Sequence, residues 1–308
     1  GANIFGANSN DKWKPLWSVG SFWNVSNERF LKNVEWINAL KLRMTYGVSG
    51  NVDLRKTPLP LANVTSNTNS NFPVLVIGSL NDPSLRWEKV EMFNLGADFS
   101  ILKGRLAGSF DIYRKHGRDL YGLTGYDYTV WGAQPFITKN VASMEGKGID
   151  LMLTSKNLVG PLNWQTTLVL SQNKNKTETY YSLNPVNEAD FLSSGNTITP
   201  VPGLPLYAIA GFKWGGLDQN GNPQSYVDGN LSNDYSAINK EGRQLGVNGN
   251  IIFKGSAKPQ LFGSIENSFG YKNLTLSVSI AFQGDYYFRK NTTSYGTFLT
   301  NGIAYSDI

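Results

Sequence analysis

Cysteine is absent from all 308 residues, and histidine occurs once, as His116. The first absence excludes disulfide scaffolds, zinc–thiolate clusters and thiol nucleophiles. The second leaves no pair of imidazoles for a metal site or a proton relay. Charged residues are only 17% of the chain, against about a quarter in an average domain. With 13% aromatic residues beside that low charge, intrinsic disorder is excluded as well. A net charge of +5 is small for this length and calls for no nucleic-acid partner. No run approaches the ~18 consecutive apolar residues of a transmembrane helix. Gly1-Ala2-Asn3-Ile4-Phe5 shows no charged region, apolar stretch or cleavage site of a secretory signal. Neither observation bears on a transmembrane β-barrel, whose strands leave a much weaker trace.

What the sequence does have is period-two alternation. Leu274, Leu276, Val278, Ile280 and Phe282 interleave with Thr275, Ser277, Ser279, Ala281 and Gln283. Leu40, Leu42, Met44, Tyr46 and Val48 alternate with Lys41, Arg43, Thr45 and Gly47. Phe93 to Ile101 and Leu106 to Ile112 follow the same rule, and further strands are expected near 16–25, 146–156, 162–173 and 257–269. Several of these runs exceed the usual 5–6 residues of a soluble strand. They match the ~9–11 residues that a tilted strand needs to cross a bilayer.

Turns give a second test. A two-residue turn at Lys103-Gly104 pairs Leu102 with Arg105 on the polar face and sets Ile101 beside Leu106 on the apolar face. A turn at Tyr271-Lys272 pairs Gly270 with Asn273, Phe269 with Leu274 and Ile265 with Val278. Register and pattern agree at both. Short links are expected near 26–37, 103–104, 157–161 and 271–272, and long ones at 50–87, 117–145, 174–256 and from 285 onward. Short turns at one end and long loops at the other are the layout of an outer-membrane barrel. The 174–256 segment is too long for a bare connector and is expected to be a functional loop with folded parts.

The residues also carry a family likeness. Leu40-Lys41-Leu42-Arg43-Met44-Thr45-Tyr46-Gly47-Val48-Ser49-Gly50-Asn51 resembles a signature of the SusC/RagA family, TonB-dependent outer-membrane transporters of the Bacteroidetes. So do Asn81-Asp82-Pro83-Ser84-Leu85-Arg86-Trp87-Glu88, Asn94-Leu95-Gly96-Ala97-Asp98 and Phe110-Asp111-Ile112-Tyr113. Asn140-Val141-Ala142-Ser143-Met144, leading to Lys147-Gly148-Ile149-Asp150, resembles a further block, with Ala142 and Gly146 where the family usually has Gly and Asn. Pro259, Gly263, Asn267-Ser268-Phe269 and Tyr271-Lys272-Asn273-Leu274 resemble its last hairpins. The blocks stand in family order along nearly the whole chain.

The resemblance implies an all-β fold: an antiparallel transmembrane β-barrel segment, about eight strands of a presumed 22, with long extracellular loops. Residues 1–308 would be part of one barrel domain whose plug, TonB box and N-terminal domain are absent, with 174–256 as a long extracellular loop region. A separate small eight-stranded barrel is the alternative closure. The implied function is active import, not catalysis, of an oligosaccharide or oligopeptide across the outer membrane. It implies a SusD-like surface lipoprotein and TonB, acting through the plug, as partners, and no cofactor. A non-transporting receptor or adhesin barrel and a soluble β-sandwich binding module are the competing readings.

On the polar face, Lys41, Arg43, Asp98, Arg105 and Asp111 are expected to look into the lumen, with Lys147 beside them. Asp98 and Asp111 stand diagonally across adjacent strands at roughly 7–8 Å. That spacing admits a glycosidase-like pair; polar lining paired with Arg105 and Lys115 is the plainer reading. His116 reads as a rim residue just past a strand end. Asp218-Gln219-Asn220-Gly221-Asn222-Pro223 loosely resembles a calcium loop, but Pro223 and Gly229 stand where glycine and an acid are needed; a tight Asn-Gly turn fits better. The candidates for substrate contact are loop aromatics, foremost Tyr121, Tyr126, Tyr128, Trp131, Tyr207 and Trp214, whose ring faces could stack on sugars or peptide side chains; packing of the loops against each other and against a partner protein is the plainer reading of any one of them. Trp13, Trp17, Phe22 and Trp23 are expected in an interfacial girdle.

Overall fold

The computed structural model describes residues 15–53, 56–79, 81–127, 129, 136–181, 192, 195, 198, 200–241 and 250–290. Eight strands form one antiparallel sheet: β1 (Trp17–Asn24), β2 (Ile37–Asn51), β5 (Glu88–Ile101), β6 (Leu106–Gly125), β7 (Phe136–Leu158), β8 (Leu162–Tyr180), β13 (Leu261–Tyr271) and β14 (Leu274–Gly284). They lie side by side in that order, and among the described residues β1 and β14 do not pair, so the eight strands do not close on themselves. Smaller two-stranded pairs decorate one end: the hairpins β3 (Leu61–Ser66) with β4 (Pro73–Ser79) and β10 (Ser225–Val227) with β11 (Asn230–Ser232), and the longer-range pair β9 (Ala208–Phe212) with β12 (Ile251–Ser256). An α-helix, α1 (Tyr235–Glu241), follows β11, and two 3-10 turns, Val25–Asn27 and Arg29–Leu31, lie between β1 and β2.

The turn at Lys103-Gly104 is as expected. Ile101 faces Leu106 and Asp98 faces Ser109, and Lys103 and Gly104 have φ of 57° and 75°, the left-handed pair that a type I′ turn requires. The second hairpin turns one residue later than expected, at Lys272-Asn273. Tyr271 faces Leu274, Phe269 faces Leu276 and Ile265 faces Ile280. The register therefore differs by two, an even number, so every side chain keeps its face.

One of the expected long loops is largely strand, and a second is shortened by strand. β6 runs on for 20 residues and β7 for 23, leaving a connection of 126–135 in place of 117–145. β8 likewise continues to Tyr180. Irregular pairing between Gly117 and Leu120 and between Ser143 and Met144 breaks the alternation there, which hid the continuation. Beyond the apolar band the outward face also becomes charged, so the pattern loses its apolar half.

The outward face carries that band obliquely. The row that pairs Val19, Tyr46 and Phe93 on β1, β2 and β5 continues into Arg114, Lys147 and Lys174 on β6, β7 and β8. At the other end, apolar residues persist on β8, β13 and β14 through Trp164, Phe269 and Leu276, level with the β5–β6 turn. Strands tilted by about 35–45° do this, because hydrogen-bonded rows then run obliquely to the membrane plane. Trp164 stacks on Phe269 with centroids 5.6 Å apart and donates its indole N–H to Asn267 Oδ1 at 3.0 Å. This placement corrects two expectations. Lys147 lies on the outward face with Ile149 and Leu151, since its partner Arg114 does. Phe22, opposite Arg43, lies on the inner face under the Lys41 ammonium at 4.6 Å. Trp17 and Trp23 are outward and exposed, and Trp13 lies outside the described residues.

Candidate functional site

On the inner face, three strands meet at one guanidinium. Arg43 on β2 donates from Nε and Nη2 to both oxygens of Asp98 on β5, at 2.8 and 2.9 Å, and from Nη2 to Asp111 Oδ2 on β6 at 3.0 Å. Asn94 Nδ2 donates to the remaining Asp111 oxygen at 3.1 Å. Arg43 reaches Asp111 across Gly96, which pairs with both. A side chain at Gly96 would collide with Asp111 Oδ1 and with the Arg43 guanidinium, which accounts for glycine in the Asn94–Asp98 block.

The cation that joins the two carboxylates is thus Arg43, in place of Arg105 and Lys115. Arg105 sits in the β5–β6 turn, where its N–H bonds Leu102 O at 3.2 Å, and Lys115 lies 4.9 Å over the Tyr113 ring. With both carboxylates committed to Arg43 and Asn94, the cluster ties three strands together. Replacing Arg43 with methionine strands two carboxylates on each other. The cost expected is about 1–2 kcal/mol after allowing for partial solvent screening. A lowered urea midpoint, restored by adding Asp98→Asn, checks this.

At the long-loop end, two of the sequence blocks come together. Asp82 Oδ1 accepts from the Ser84 N–H at 2.9 Å, and Leu85 N–H donates to Asp82 O at 3.0 Å; the turn buries Leu85 to 1% exposure. The next residue is clipped to β7: Arg86 N–H donates to Asn140 Oδ1 at 2.9 Å, and Asn140 Nδ2 donates back to Arg86 O at 2.8 Å and to Asp119 O. Arg86 Nη2 pairs with Asp119 at 2.6 Å. Asp119 itself has a left-handed φ of 57° at the irregular step of β6. Glu88 closes the cluster, accepting from Tyr121 N–H at 2.9 Å and Asn51 Nδ2 at 2.7 Å. In the sequence Arg86 and Asn140 stand in separate blocks 54 residues apart, and nothing local pairs them. The signal was there, in two polar blocks that alternation does not explain.

The aromatic candidates separate. Tyr121 is a β6 strand residue, not a loop one. Tyr126 follows the end of β6, with Lys139 Nζ 5.8 Å from its ring centroid. Tyr128 and Trp131 lie outside the described residues. Tyr207 lies beneath Lys258 at 4.8 Å and accepts the Ala257 N–H on its carbonyl at 2.9 Å. Trp214, 62% exposed, borders a cleft of about 270 Å³ with Phe212, Pro223, Tyr235 and Ile238. In the neighbouring turn, Asp218 accepts from the Asn222 side chain at 3.0 Å and backbone at 2.8 Å, and also from Asn233 and Asn220. These bonds hold its carboxyl at about 2. With Gly221 at φ 82° the segment is a carboxylate-centred turn, its oxygens occupied by amides. His116 is on β6, not at a rim, with Nε2 2.5 Å from Glu178.

The chain is similar to known proteins over most of its length. No protein-family model matches it. It is 30% identical over 301 residues to TonB-dependent receptor P26 of Formosa agariphila, covering 92% of this chain and 29% of that protein. To TonB-dependent receptor SusC of Bacteroides thetaiotaomicron it is 27% identical over 292 residues, 88% of this chain and 27% of that one. The chain thus spans less than a third of the length of these curated relatives. Its fold matches the RagAB peptide importer in the open-open state with a TM-score of 0.74 at 22% identity, over 92% of this chain and 30% of that one. The closed-closed state matches at 0.71.

Proposed function

We propose, on the premise that this chain belongs to the SusC/RagA family of TonB-dependent receptors, that the whole protein imports a nutrient oligomer across the outer membrane. The observation that carries this reading is one sheet with two unlike faces: an oblique apolar band outside and the Arg43–Asp98–Asp111 network inside. Such a wall separates lipid from a polar lumen. Import would proceed with a SusD-like lipoprotein closing over the long-loop end and TonB acting through a plug. In this reading the described chain contributes wall, and its loops contribute contacts to cargo. Trp214 and Tyr235 offer exposed ring faces in the 270 Å³ cleft; Tyr121, Tyr126, Tyr128, Trp131 and Tyr207 are the other candidates.

The RagAB neighbours are peptide importers by description, which favours an oligopeptide here; an oligosaccharide is the second class. Cells carrying the full-length gene with its TonB box deleted are expected to lose growth on one defined oligomer. Trp214→Ala is expected to weaken uptake about tenfold, as loss of one stacked ring of about 1.4 kcal/mol would. Unchanged growth without the TonB box would favour a non-transporting receptor. Growth on peptide mixtures but not glycans, or the reverse, assigns the class.

A further inference from the structure

Three cations stand directly opposite one another on the outward face: Arg114 pairs with Lys147, and Lys147 with Lys174. Like charges in directly opposed cross-strand positions destabilise a sheet, so this row works against the fold that carries it. Only part of the charge is offset. Glu145 takes Arg114 at 2.5 Å and Lys176 at 2.9 Å, and Lys174 lies 3.6 Å from Asp285. Lys147, exposed at the centre of the row, has no ion pair among the described residues. Arg114 is 68% exposed in its side chain and Lys174 51%.

The height of the row decides what meets it. Ile112 and Ile149, the next outward residues below Arg114 and Lys147, are apolar and 45% and 38% exposed. Two residues of strand separate these levels, about 7 Å. Along the same row, which runs obliquely to the membrane plane, β2 and β5 still present the apolar-band residues Tyr46 and Phe93, so the row climbs out of that band as it passes to β6. The row lies toward the long-loop end of β6–β8, which is the outer leaflet in a barrel of this layout.

We propose that Arg114, Lys147 and Lys174 form a binding site on the outer wall for the phosphate of an outer-leaflet lipid, the phosphorylated saccharide headgroup of lipopolysaccharide. The lipid's acyl chains lie against the apolar band while its phosphate neutralises the cationic row. The site rests on the membrane-spanning reading of the wall and is independent of what the barrel carries.

The test uses the full-length protein in zwitterionic detergent with diphosphoryl lipid A as probe. Binding is measured by native mass spectrometry and by the rise in Tm. The doubly substituted Lys147→Gln/Lys174→Gln protein is expected to bind about 25-fold more weakly, near fivefold per lysine removed close to a membrane surface. Lys103→Gln, in the opposite turn, is expected to bind as the parent does. A heat-modifiable band on electrophoresis confirms that each variant is folded, so a folded barrel that fails to bind separates this site from the barrel itself. Equal binding by the double variant, equal binding of dephosphorylated lipid A, or displacement by equimolar inorganic phosphate would each overturn the proposal.

Discussion

Replacing Val278 with arginine is expected to cost about 2–4 kcal/mol of folding free energy in the full-length protein, the penalty for a cation facing lipid near the bilayer midplane. Val278 is the middle of the five alternating apolar residues of β14, 45% exposed, and faces Asn267 across the hairpin. Its neighbour Ser277 points to the other face, where its hydroxyl lies 3.2 Å from Ser268 Oγ. Ser277→Arg is expected to assemble at near-parental levels, because its side chain enters a polar lumen. The amount of heat-modifiable protein in the outer-membrane fraction reads both. Equal yields from the two variants would mean that the faces are not lipid and lumen.

The second large effect belongs to Asn140. Its amide makes three hydrogen bonds to backbone groups of Arg86 and Asp119, so alanine leaves several part-buried groups unsatisfied, at about 1 kcal/mol each. An expected loss of about 2–3 kcal/mol frees the 81–87 segment from β7. Amide exchange at Arg86 should then rise roughly 30- to 150-fold, following that free energy. Asn140→Asp is expected to fall between, since it retains the acceptor for Arg86 N–H but loses both donations. If Arg86 exchanges no faster in the alanine variant, the clip contributes nothing to holding the segment. The same variant bears on function, because 81–87 leads directly into β5 at the long-loop end.

The alternation of β2, β5, β6 and β14 needed no tertiary information. Burial of one face against lipid writes apolar residues at every second position, and the two tight turns set the pairing to within an even shift. That reading stopped where its cause stopped. Above the apolar band β6 and β7 are still hydrogen-bonded, but water meets both faces, and irregular pairing at Gly117–Leu120 disrupts the parity. Strand ends therefore read as loops in the sequence, and Tyr121 and His116 as loop and rim residues. The charge of Lys147 suggests a lumen-facing side chain, but parity with Ile149 and Leu151 places it outward.

By itself, then, the sequence determined the fold class and the faces of the regular strands, because those depend on local periodicity and on residues close in the chain. Only the tertiary structure decided which charges meet. Arg43 joins Asp98 and Asp111 from 55 and 68 residues away, and Asn140 finds Arg86 from 54. The cations Arg114, Lys147 and Lys174 are stacked by strand register alone. Salt bridges and clips of this range follow from which residues the sheet sets side by side, a property of pairing that no single strand's pattern contains.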